Sequence, residues 1–144
     1  MKVSMKNNPS EYEISVPRSV TILLLFVLSI TAWNGIRAWA TVSNWENLSR
    51  FRANPVYIFS TGSIWFILGA VLMILIFKGY RHTPTLGLSL SILYLTWYWV
   101  DRTFIQIAPA PNIPFSIVVS LVTLIVFNTI LFWPSAQAFF KETQ

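Results

Sequence analysis

Four apolar runs, each long enough to cross a bilayer as a helix and joined by short polar links, decide most of what this chain can become. A hydrocarbon core of about 30 Å needs about 20 helical residues. The runs at about 18–41, 56–77, 84–105 and 114–133 supply them. The expected structure is all-α: one integral-membrane domain over residues 1–144, built as a left-handed bundle of four transmembrane helices. Only 10% of the residues are charged, against about 25% in soluble domains. So few charges cannot clothe a water-soluble surface, so most of the surface must meet lipid or partner protein.

Prolines mark the run boundaries. Ser15 and Pro17 open the first, Asn54-Pro55 the second, Thr83-Pro84 the third, and Asn112-Ile113-Pro114 the fourth, which Pro134 stops. Ahead of the first run, Tyr12, Ile14 and Val16 alternate with polar residues, as in a short extended piece at the membrane surface. Ala108-Pro109-Ala110-Pro111 reads as a stiff extended turn, and Ser135 to Phe140 as a short interfacial turn leading to Lys141. Ala38-Trp39-Ala40 follows an apolar core in the manner of a signal-peptidase site. The segment before it is long, carries Glu11 and Glu13, and places Arg37 beside the would-be cut, so a retained helix is expected. Asn47-Leu48-Ser49 matches a glycosylation sequon, read here as a chance occurrence in a short link.

Lysine and arginine set the orientation. Lys2, Lys6, Arg18, Lys78, Arg81 and Lys141 share one side, against Arg37, Arg50, Arg52 and Arg102 on the other. Both ends of the chain are therefore expected in the cytoplasm, with the protein in the cytoplasmic membrane. The net charge of +5 is scattered among the spans and forms no stripe for a phosphate backbone, so no nucleic-acid partner is expected.

Chemistry is excluded more readily than assigned. With no cysteine, and His82 the one histidine, thiolate catalysis, disulfides and bis-histidine haem ligation within one copy all fall away. The spans hold one carboxylate and no histidine, and no phosphate loop or hydrolase motif occurs. No enzyme activity, cofactor or metal is expected. The paired cysteines of quinone-linked disulfide enzymes and the histidines of four-helix cytochromes are absent. So is the first-helix glutamate of small multidrug exporters.

Inside the spans the polar and small residues recur at 4-3 spacing, which keeps one seam facing a partner helix. The seams are Val27, Thr31, Asn34, Ala38 and Thr41; Gly87, Ser91, Tyr94, Tyr98 and Asp101; and Ser116, Ser120 and Thr123, with Asn128 nearby. Gly62, Gly69 and Ala70 add a smooth patch that suits close helix approach, in the bundle or to another subunit.

One end departs from this pattern. Asp101 is the only acidic residue in or beside an apolar run, and it closes the aromatic stretch Tyr94 to Arg102. Arg37 and Asp101 each lie about one turn inside the outer face, where an ionisable group is costly and usually turns inward to pair. A pair between them is expected. Trp33, four residues before Arg37, is placed for a cation–π contact, and Arg102 is placed to snorkel to headgroups. Two readings stand side by side. One is an interfacial aromatic belt with a structural ion pair. The other is a ligand pocket over a polar floor that includes Ser60 and Thr61, its candidate binding residues being Asn34, Arg37, Tyr57, Trp97, Tyr98 and Asp101.

The leading functional expectation is a non-catalytic accessory or structural subunit, with the bilayer, other membrane subunits or copies of itself as partners. The alternative is a small transporter, channel or lipophilic-ligand binder using the Arg37/Asp101 end. The aliphatic cytoplasmic halves of the first two spans favour the subunit.

Overall fold

The computed structural model describes residues 16–51, 54–105 and 112–142, and every element in them is helical. The order is α1 (Arg18–Ser43), α2 (Trp45–Arg50), α3 (Pro55–Phe77), α4 (Thr83–Val100) running into a π-helical turn (Asp101–Ile105), α5 (Ile113–Leu131) and α6 (Pro134–Glu142). Helices α1, α3 and α5 are long and apolar enough to cross a membrane. The extended piece expected at Tyr12 to Val16 and the turn at Ala108 to Pro111 fall largely or wholly outside the described residues.

The four long helices form a ring in chain order: α1 packs on α3, α3 on α4, α4 on α5, and α5 back on α1. The tightest pairing is α1 with α3. Its cause is legible along α1, whose buried residues Val20, Leu23, Val27, Thr31, Asn34, Ala38 and Thr41 make one stripe at 3-4 spacing. Gly62 lets the backbones meet: a Cβ there would stand 3.1 Å from the Asn34 carbonyl oxygen and 3.2 Å from the Ala38 nitrogen. About two turns deeper, a Cβ on Gly69 would overlap the Thr31 hydroxyl. The patch open in the sequence to either use therefore lies, at these two glycines, against α1 of the same chain.

Local signals explain the helix ends. The Asn54 side chain accepts from the Tyr57 backbone N–H at 3.1 Å, with Pro55 in the first turn where its missing N–H does no harm. Asn112 looks similar in sequence but sits at φ 61° and makes no side-chain cap. Thr83 does not cap its own helix either; its hydroxyl donates to the Leu75 carbonyl of α3 at 3.3 Å. Gly79, at φ 63°, closes α3, with Tyr80 N–H returning to the Leu75 carbonyl and Gly79 N–H to that of Ile76.

At the α6 end the bundle is closed. Val20 and Leu23 of α1, Leu72 and Ile76 of α3, and Phe127 and Leu131 of α5 form a core with Ala136, Phe139 and Phe140 of α6. The turn expected from Ser135 to Phe140 is thus a helix folded under the bundle. Its apolar residues fall at i, i+3 and i+4, so one face can bury all three. Ser19 and Ser135 share a hydrogen bond of 2.8 Å, and the Gln137 amide donates to the Leu131 carbonyl at 3.2 Å.

Candidate functional site

At the opposite end, α1, α3 and the π-helical turn deliver Arg37, Tyr57 and Asp101 to one point. Asp101 is buried, at 3% exposure. Tyr57 Oη donates to Asp101 Oδ1 at 2.6 Å, and Arg37 Nη2 lies 4.0 Å from Asp101 Oδ2. The tyrosine contact is a short, charge-assisted hydrogen bond, whereas the arginine contact is coulombic, being beyond hydrogen-bond length. A hydrogen bond and a nearby cation offset the cost of burying a carboxylate. The pairing expected from the sequence is therefore present, with Tyr57 as the closer partner.

The aromatic residues divide into two groups. Trp33 and Trp39 are 66% and 73% exposed and point outward, as belt residues do. Trp97 turns inward, and the Arg37 guanidinium stands over its ring at 5.3 Å. The cation–π contact expected from Trp33 is made by Trp97 instead, because Trp33 faces away from the bundle. Trp97 also meets Trp65 and Tyr94, at 5.5 and 5.6 Å between centroids, and Trp65 meets Tyr94 edge-on at 4.9 Å. Trp65 was not singled out in the sequence, because an aromatic inside an apolar run carries no distinguishing mark. Arg102 does not simply snorkel outward. It reaches back one turn, donating to Tyr98 Oη at 3.2 Å and lying over the ring at 6.0 Å.

The cavity is next to this cluster, not over it. A space of about 360 Å³ lies between all four long helices. Phe26, Phe127 and Leu72 form its lower wall, while Trp65, Tyr94 and Tyr98 form its upper one. From Ser116 to Phe127 along α5 it extends about 16 Å at 1.5 Å per residue. Of the six candidate residues only Tyr98 lines it. Arg37 opens instead into a cleft on the outer face of α1. Asn34, 1% exposed, donates from its amide to the Ile30 carbonyl and belongs to the α1–α3 seam. Of the expected polar floor, Arg37, Tyr57 and Asp101 meet, whereas Ser60 is exposed and Thr61 donates to its own helix at Tyr57.

The hydroxyls of the cavity wall are in different states. Thr31 donates to the Val27 carbonyl at 2.7 Å, and Ser91 to that of Leu88 at 2.8 Å. Ser116, Ser120 and Thr123 on α5, and Tyr94 on α4, make no side-chain hydrogen bond among the described residues. A polar group away from water costs free energy until something pairs with it. Asn128 bridges toward Ser91 at 3.4 Å while donating to Leu124 at 2.8 Å, as an interhelical linker does. His82 meets Tyr80 edge-on in the exposed link between α3 and α4.

No protein-family model, curated protein or solved structure matches this chain, so the geometry alone carries the functional reading.

Proposed function

We propose that this is a four-span membrane protein that holds a lipophilic small molecule in the centre of its bundle. The observation that carries the reading is the central cavity with unpaired hydroxyls on α5 and aromatic walls on α3 and α4. Its volume falls in the range of small-molecule sites, about 300–1,000 Å³. The closed core at the α6 end offers no polar path onward, which favours binding over conduction. The seams that made an accessory subunit attractive have another use here. Gly62 and Gly69 seat α1, while Gly87, Ser91 and Ser120 line the cavity, so they need no partner protein. No catalytic step and no cofactor is part of this reading.

The four-span count rests on α4. Its serines and tyrosines lower its hydropathy, but Ser91, Tyr94 and Tyr98 face the cavity, while Ile92, Leu93 and Val100 face outward. With the π-helical turn it spans residues 83–105, long enough for a bilayer. The 4-3 seams support left-handed packing. The lysine and arginine distribution supports cytoplasmic ends in a cytoplasmic membrane.

The test is purification in mild detergent, with native mass spectrometry and extraction of what remains bound. A defined small molecule is expected with the wild type and lost from Ser120→Phe, which fills the cavity, while the folded bundle persists. Retention of the same molecule by Ser120→Phe refutes the site. A stoichiometric protein partner with no bound small molecule would favour the subunit reading.

A further inference from the structure

Arg37 has more to offer than its pairing with Asp101 uses. The carboxylate stands 4.0 Å away, and the guanidinium makes no hydrogen bond among the described residues. Its underside rests on Trp97, and its side chain keeps 24% of its surface open. That opening faces a cleft of about 490 Å³ between α1, α2 and the start of α3. The cleft shares no residue with the central cavity. Its walls combine the apolar Trp33, Ile36 and Ile58 with the amide of Asn47, which makes no side-chain hydrogen bond among the described residues.

We propose that this cleft seats a phospholipid, its phosphate on Arg37 and Asn47 and an acyl chain along Trp33, Ile36 and Ile58. A guanidinium presents a planar fork of N–H donors that fits phosphate oxygens two at a time, and it is more weakly hydrated than an ammonium. Five donors suffice for a carboxylate behind and a phosphate in front. The charges permit it: Arg37, Arg50 and Arg102 outnumber Glu46 and Asp101 at this end among the described residues, and Glu46 is turned to water against Arg50 at 4.0 Å. The exposed tryptophan supplies the interfacial contact that lipid-facing sites favour. A lipid phosphate and a free phosphate share this chemistry. The apolar walls beside Arg37 assign the lipid.

The experiment uses the full chain in detergent, titrated with dihexanoyl phosphatidylglycerol, dihexanoyl phosphatidylcholine, dihexanoyl glycerol or inorganic phosphate, and read by native mass spectrometry. Both phospholipids are expected to bind at least fivefold more tightly than the phosphate-free glyceride, and inorganic phosphate at equal concentration to leave them in place. Ala40→Trp fills the cleft while leaving Arg37 and Asp101 themselves in place. It is expected to weaken phospholipid binding at least fivefold, as is Arg37→Gln, with Arg37→Lys in between. Equal retention of the glyceride, or unchanged binding by Ala40→Trp, overturns the site. Displacement of the phospholipid by equimolar inorganic phosphate overturns the lipid assignment and leaves a simple anion site. Because Ala40 lies outside the central cavity, these results are independent of whether Ser120→Phe releases a molecule from it.

Discussion

Replacing Arg37 by glutamine should cost more stability than replacing Asp101 by asparagine, although the two changes break the same contact. The separation of 4.0 Å corresponds to about 4 kcal/mol of attraction at an effective dielectric constant near 20. Arg37 is one-quarter open, so solvent screens the pair, and about 1–2 kcal/mol of coupling is the expected remainder. The survivors differ. After Asp101→Asn, Arg37 still has Trp97 beneath it and an open cleft ahead. After Arg37→Gln, a carboxylate only 5% exposed loses the guanidinium that stood 4.0 Å from it. One-sided breakage of a buried pair costs about 3–5 kcal/mol; with the Tyr57 hydrogen bond retained, about 2–3 is expected for Arg37→Gln and about 1–2 for Asp101→Asn. The double variant should fall short of their sum by about 1–2 kcal/mol. Tyr57→Phe removes the 2.6 Å charge-assisted bond and should cost about 1.5–3 kcal/mol. Thermal unfolding in detergent, followed by tryptophan fluorescence, can read these values at about 2–4 °C per kcal/mol for a chain of this length. Strict additivity in the double variant, or a larger loss for Asp101→Asn than for Arg37→Gln, refutes the reasoning.

Gly69→Ala should cost about 1–3 kcal/mol by driving a methyl into the Thr31 hydroxyl, and Thr31→Ala in the same chain should restore part of it in the same melting assay; no recovery would mean that the strain lies elsewhere. Phe140→Ala, which empties the most buried aromatic position of α6, should cost about 3–5 kcal/mol, whereas Phe132→Ala, half-exposed, should cost far less; equal melting temperatures would show that α6 is not docked. Reporter fusions at positions 1, 80 and 144 should lie on one side of the membrane and those at 48 and 110 on the other; a mature N-terminus at Thr41 would contradict this.

What could be read without the structure was periodic or rare. Val27, Thr31, Asn34, Ala38 and Thr41 were recognisable as a seam because 4-3 spacing selects one helix face, and all five are buried. Asp101 and Arg37 were recognisable as partners because charge beside an apolar run is costly and only one acid was available. What escaped was lateral. Sequence distance put Trp33 nearest to Arg37, yet the ring beneath the guanidinium belongs to α4, and no spacing rule selects among aromatics on other helices. The cavity escaped for a related reason. Ser116, Ser120 and Thr123 read as packing residues, and only the positions of four helices show that α4 and α5 stand far enough from α1 and α3 to leave a space. Helix α6 did leave a signal, in Ala136, Phe139 and Phe140, but nine residues with one apolar face are equally compatible with resting on lipid headgroups.

The docking of α6 also sets a timetable. Ser19 and Ser135, which meet where α6 closes the bundle, are 116 residues apart in the chain. At about 5–20 residues per second of synthesis, roughly 6–23 s pass between the emergence of the two. During that interval Val20 and Leu23, and then Leu72 and Ile76, are already made, but Ala136, Phe139 and Phe140, which complete the core they share, are not. Until they arrive, lipid, a chaperone or a neighbouring nascent chain must cover the face of that core which α6 closes.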